Sequence, residues 1–239
     1  MSRPSVLDFP VDPIDVPAAL DRVAAACAGG DPLQIITINA EMTMQARTDP
    51  ALGDVLRRAG LVLPDGSGVV WALRRRGWPV HKLPGVEFVE HVAAWAAREG
   101  KRVFLFGGAE GVADRAAEVL RRRHAGLIVA GTCSGYFRPD EEGRVCDLIR
   151  AATPDILFVA LGVPRQELWI DRHQASLGIP VAMGVGGSFD VLADRVKRAP
   201  LAMRRMNLEW LFRLWQEPWR WRRMGATLPK FAVLVLREK

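Results

Sequence analysis

The chain has 239 residues, 49% hydrophobic and 25% charged, with a formal net charge of +6. That length suits one large domain, or one domain with an appendage, and the composition excludes wholesale disorder. Three cysteines, Cys27, Cys133 and Cys146, are odd in number and far apart, which argues against a disulfide framework or a zinc cluster and fits a reducing cytosol.

The first residues, "MSRPSVLDFPVDPID", carry no apolar run of signal-peptide type. From there the chain alternates short apolar runs with amphipathic stretches. The expected strands are 33–39 (LQIITIN), 61–63 (LVL), 102–107 (RVFLFG), 127–131 (LIVAG), 155–161 (DILFVAL) and 180–185 (PVAMGV). Helical patterns lie between them, at 85–100 and 110–124 for example; in the latter Val112, Ala116, Val119 and Leu120 share one face. Strands apolar on both faces and separated by helices imply a mostly parallel, Rossmann-like α/β sheet covered on both sides. In such a sheet ligands bind beyond the carboxyl ends of the strands. Thr37 and Asn39, Asp65, Gly107 and Gly108, Tyr136, Arg165 to Glu167, and Gly186 to Asp190 lie at or just after strand ends, so they gather at one edge.

Each cluster has a chemical and a structural reading. In "LPDGSG" Asp65 either makes the turn or acts as a base. In "FLFGGAEG" Gly107 and Gly108 either admit a phosphate to a helix start or satisfy a tight turn. In "GVPRQELW" Arg165 offers a cation, Gln166 a donor and an acceptor for a sugar or a uracil edge, and Glu167 a further ligand contact or a first-turn acid. In "GVGGSFD" Gly186, Gly187 and Asp190 suit a backbone-lined pocket or a tight strand-to-helix turn. There is no Walker loop, G-x-S-x-G elbow, D-x-D pair or His spacing for a metal, and the dinucleotide fingerprint is incomplete. An oxidoreductase using NAD and a non-catalytic membrane-binding module remain as alternatives.

Charge is uneven. Residues 195–239 hold 12 Lys/Arg against 3 Asp/Glu, and residues 1–194 hold 21 against 24. The boundary expected on this ground divides an α/β catalytic domain, 1–194, from a basic appendage, 195–239. Trp210, Trp215, Trp219 and Trp221 sit among its arginines. This mixture suits an anionic membrane surface, with rings at headgroup depth and cations near lipid phosphate; a helix packed on the core is the other reading. The apolar run 231–236 is far below the ~20 residues that span a bilayer. No nucleic-acid-binding motif accompanies the tail. An oligomer is compatible with the sequence.

Taken in order, "TINAEM", "LPDGSGVVWALRRRG", "FLFGG", "GYF", "PDILFVALGVPRQELWI", "GVGGSFDVLA", "RAP" and "LEWLFRLWQEPWRWRR" resemble the WecG/TagA/CpsF family, glycosyltransferase family 26. The resemblance covers about residues 35–223. It implies an inverting transfer, independent of metal or cofactor, from a UDP-sugar to a saccharide on polyprenyl diphosphate. Typical donors carry N-acetylmannosamine or its uronic acid, and the product feeds a cell-surface polysaccharide. The enzyme would sit peripherally on the inner face of the cytoplasmic membrane. By the same resemblance Asp65 is the base, Thr37, Asn39 and Gln166 bind substrate, and Arg220, Arg222 and Arg223 bring the tail to the membrane and complete the site. One stretch departs from the family pattern of Arg-x-x-Gly-x-Asp. Here it reads Lys82-Leu83-Pro84-Gly85-Val86-Glu87, and Lys82 keeps the charge without the planar fork that grips a diphosphate.

Overall fold

A computed structural model describes residues 3–200, 202–203, 209–216 and 221–238. Six strands form one sheet: β3 (Leu33–Ile38), β4 (Leu61–Pro64), β5 (Arg102–Gly107), β6 (Ile128–Cys133), β7 (Ile156–Ala160) and β8 (Val181–Gly184). All are parallel, in the order β4-β3-β8-β7-β5-β6. A short antiparallel hairpin, β1 (Ser5–Val6) and β2 (Phe9–Pro10), precedes them.

Alternate side chains feed two cores, because successive residues of a strand point to opposite faces. Ile35, Leu61, Leu63, Val103, Leu105 and Phe158 pack beneath α1 (Val16–Cys27), α5 (Gly85–Glu99), α6 (Val112–Arg123) and α9 (Ser188–Leu192). On the other face Ile36, Ile38 and Val62 meet α2 (Ala40–Ala46), α3 (Pro50–Arg58) and α4 (Ser67–Arg75). Phe104, Phe106, Leu157 and Val159 meet α7 (Glu142–Ala152) and α8 (Arg165–Leu177). The doubly covered parallel sheet expected from the apolar runs is therefore observed. One edge differs in detail: β6 runs to Cys133 rather than ending at Gly131. The register between β5 and β6 shifts at Val103/Phe104, and the Phe104 ring lies where a Cβ on Gly131 would be, 2.6 Å away.

Adjacent strands β5 and β7 send the chain in opposite directions, outward to β6 and inward to β8. Such a reversal opens a crevice at the carboxyl ends. The two strands approach closely there because Gly107, at φ +127°, has no side chain; a Cβ would lie 2.4 Å from the Ala160 carbonyl oxygen. Gly107→Ala should lower stability by about 2 kcal/mol or more, from backbone strain plus overpacking. An unchanged denaturant midpoint would show that β5 and β7 part freely.

Among the described residues of the basic segment lie the helices α10 (Glu209–Gln216) and α11 (Trp221–Arg237). The second packs on α2 and α4, burying Phe231 and Val235 in the core. At its end Glu238 accepts from the Leu7 amide (3.0 Å) and pairs with Arg76 (3.1 Å). Among the described residues no helix is long and apolar enough to cross a membrane.

Candidate active site

Asp65 stands at the carboxyl end of β4, half-buried. Its amide donates to the Ile38 carbonyl (2.8 Å), and the Leu83 amide donates to the Pro64 carbonyl (2.8 Å). These two bonds fix the loop on both sides. Gly66, at φ +120°, then turns the chain into α4, a conformation that favours glycine. The carboxylate faces the start of α5, where the Gly85 amide lies 3.4 Å from Oδ2. A helix N-terminus favours negative charge there. Thr37 closes over the same point: a Cβ on Gly85 would be 3.2 Å from Thr37 Oγ1 and 3.8 Å from Ser188 Oγ. Asn39 caps α2 through the Met42 amide (2.9 Å) and lies beside Gly66. Ser188, within the 186–190 run expected at this edge but given no role there, thus joins Thr37, Asn39 and Asp65; its hydroxyl donates to the Val185 carbonyl (2.6 Å).

A second group lines the β5–β7 crevice. The Gly108 amide donates to Ala160 O (2.9 Å), and the Gly135 amide to Gly108 O (2.8 Å), so these glycines knit the loops together. Tyr136 stands 81% exposed at the rim. Arg165 lays its guanidinium over the Phe137 ring, 4.7 Å from the centroid, and reaches Gly135 O at 3.5 Å.

Gln166 and Glu167, expected to meet the ligand, instead point inward, 2% and 1% exposed. Gln166 Oε1 accepts from the Gly162 and Gly186 amides (3.2 and 3.0 Å), and its Nε2 donates to Glu167 Oε1 (2.7 Å). The loops after β7 and β8 are thereby stitched together. Burial pushes the Glu167 carboxyl up from 4.5 to about 7, the Gln166 bond offsetting part of the rise. Gly187 caps α9, and the half-buried Asp190 receives the Arg195 and Val196 amides on its carbonyl (2.9 and 3.1 Å). The loop 185–188 joins both groups, through Gly186 to Gln166 and through Ser188 to Gly85.

Lys82 and Glu87, where the chain leaves the pattern, both bind the basic segment. Lys82 Nζ is 2.7 Å from Glu209 Oε2, with both side chains largely buried, at 18% and 10% exposed. Arg198 lies 3.7 Å from Glu209 Oε1 and pairs with Glu87. Two acids and two bases thus alternate between the start of α5 and the start of α10. Arg220 lies outside the described residues, as do the side chains of Arg222 and Arg223.

A doubly wound parallel sheet whose polar loops converge on one carboxyl edge is a ligand-binding α/β enzyme framework. Residues 4–239 match the model of the glycosyl transferase WecG/TagA/CpsF family. The chain belongs to that family and is a glycosyltransferase. It is 39% identical over 206 residues to a Bacillus spizizenii protein named N-acetylglucosaminyldiphosphoundecaprenol N-acetyl-beta-D-mannosaminyltransferase, which covers 86% of this chain and 79% of that one. Proteins of the same name from Bacillus subtilis strain 168 and Staphylococcus aureus strain MW2 are 37% and 34% identical, covering 86% and 87% of this chain and 79% and 81% of theirs.

Proposed function

We propose that the chain transfers N-acetylmannosamine from its UDP-sugar to N-acetylglucosaminyl-diphosphoundecaprenol, in one inverting, metal-independent displacement. The relatives' shared name supports the sugar and the acceptor. The observation that carries the mechanism is the half-buried Asp65 carboxylate at the strand edge, facing the Gly85 amide and flanked by Thr37 and Asn39. In this reading an acceptor hydroxyl attacks the anomeric carbon, Asp65 takes its proton, and UDP leaves from the opposite side. Thr37 and Asn39 orient the sugars. Charge developing on UDP is met by Arg165 and the tail arginines Arg220, Arg222 and Arg223, with Lys82 exchanging Glu209 for a phosphate.

The membrane enters the proposal through the basic segment from residue 195. Trp215 is 77% exposed, and Met203, Leu211, Phe212, Leu214 and Trp215 line an apolar hollow of about 500 Å³. Rings and apolar side chains amid arginines match a headgroup layer bearing negative charge. This part docks on the membrane while the end of α11 holds to the core.

The test is UDP release from UDP-N-acetylmannosamine on anionic vesicles holding the lipid acceptor, with EDTA present. Acceptor-dependent release that persists in EDTA is the expected outcome. Release restored only by a divalent cation would overturn the metal-free mechanism, and no release with this pair would overturn the substrate assignment.

A further inference from the structure

A primary amide has one acceptor end and one donor end. Two backbone amides from separate loops, Gly162 and Gly186, claim the acceptor end of Gln166. The donor end must then find an acceptor in a place closed to water, and Glu167 Oε1 supplies it at 2.7 Å. Glu167 is held in turn. Its backbone carbonyl receives Gln34 Nε2 from β3 at 3.1 Å. Gly184 of β8 leaves room for the pair, since a Cβ there would lie 2.7 Å from Gln166 Nε2 and 2.9 Å from Glu167 Oε1. Among the described residues the other carboxyl oxygen, Oε2, is buried without a hydrogen-bond partner.

We infer that Glu167 is a positioning residue: protonated, it holds Gln166 and through it the two loops that shape the floor of the donor crevice. The acid touches no substrate; it acts on the backbone that does. This rests on the proposed function for the identity of the ligand, but the link between the loops does not. A proton on Oε2 leaves Oε1 a neutral acceptor and avoids an ion with a single hydrogen bond in the interior. The upward shift of this carboxyl has the same direction. No charge faces it from the sheet, because β3, β7 and β8 contain no ionisable residue. Arg58 of α3 engages Asp171, and Glu142 of α7 engages His173, both further along α8. Arg165, two residues earlier, is over Phe137. Loss of the proton therefore puts an uncompensated negative charge under the crevice.

The experiment has two readouts on the full chain, each from pH 6 to 8.5. The first is hydrogen–deuterium exchange at Gly162 and Gly186, corrected for intrinsic rates and referenced to β5 amides. Protection should fall roughly tenfold in the wild type and stay level in Glu167→Gln. The second is UDP affinity by calorimetry, which should weaken several-fold in the wild type and stay level in the variant. Level protection in the wild type, or the same pH dependence in both proteins, would overturn the inference. Should the variant not fold, the wild-type exchange profile alone decides. Expected exchange without any UDP binding would uphold the link between the loops and count against the proposed function instead.

Discussion

Asp65→Asn should keep the fold and lose turnover, by about 10²–10⁴-fold in kcat, the usual contribution of a positioned general base. The substitution is nearly isosteric, and Asn supports a turn about as well as Asp. Its side-chain oxygen still accepts from the Gly85 amide, and the backbone bonds of Asp65 to Ile38 and of Pro64 to Leu83 are untouched. The melting temperature and UDP affinity should therefore stay close to wild type, while the proton of the acceptor hydroxyl has nowhere to go. A thousandfold loss corresponds to about 4 kcal/mol of transition-state stabilisation. Equal turnover by the two proteins would reduce Asp65 to a turn residue. A large loss of UDP affinity with turnover of bound substrate preserved would make it a binding group.

The second large effect is on stability. In the unfolded chain the Glu167 carboxyl has its ordinary value of 4.5, and in the folded one burial raises it to about 7. Below pH 4.5 both states hold the proton and the group costs nothing. Between 4.5 and 7 the folded chain keeps a proton that the unfolded chain has shed, so rising pH favours unfolding. Above 7 the loss is complete, at about 3 kcal/mol. Glu167→Gln cannot titrate. From pH 5 to pH 8 the wild type should lose about 2–3 kcal/mol more than the variant, measured as the difference in unfolding free energy from denaturant titrations at each pH. The slope is the safer quantity, because a buried amide brings a donor of its own and shifts both pH values equally. Parallel curves would mean that Glu167 is hydrated or ionised in the folded protein.

The strands were legible because each is a run of apolar residues bounded by turn chemistry, and the parallel sheet followed from their spacing. The far end of β6 was not, since its register depends on Phe104 lying over Gly131, a contact across 27 positions. At the site, Asp65 and Thr37 could be placed from the rule that ligands sit beyond strand ends. Asn39 carried an unused signal: an Asn just before an apolar helical run is a helix cap. Gln166 and Glu167 are expected at the ligand, or Glu167 as a first-turn acid, from their place in a loop after a strand. Their inward turn depends on the amides of Gly162 and Gly186 and on the missing side chain of Gly184, which are facts of tertiary packing. Lys82 and Glu209 are 127 residues apart, and a single sequence gives no reason to pair them. Phe231 and Val235, one helical turn apart, did hold a hint that part of the basic segment folds back.

That folding back changes what the basic segment is mechanically. It is fastened at one end by Arg198 and Glu209 to Glu87 and Lys82, and at the other by Phe231, Val235 and Glu238 to the domain and its N-terminal hairpin. A segment tied at both ends closes a loop rather than leaving a dangling arm, which lowers the entropy that the proposed docking would still cost. In the proposed function its arginines would act from a segment tied at both ends, as by a short tether. Cutting the chain at residue 195 would do more than remove them: it would strip an apolar cover from Ala40 and Gly68 and free the hairpin. Loss of activity after such a cut would report on the domain as much as on lipid, whereas point changes at Trp215 or Leu211 leave both fastenings in place.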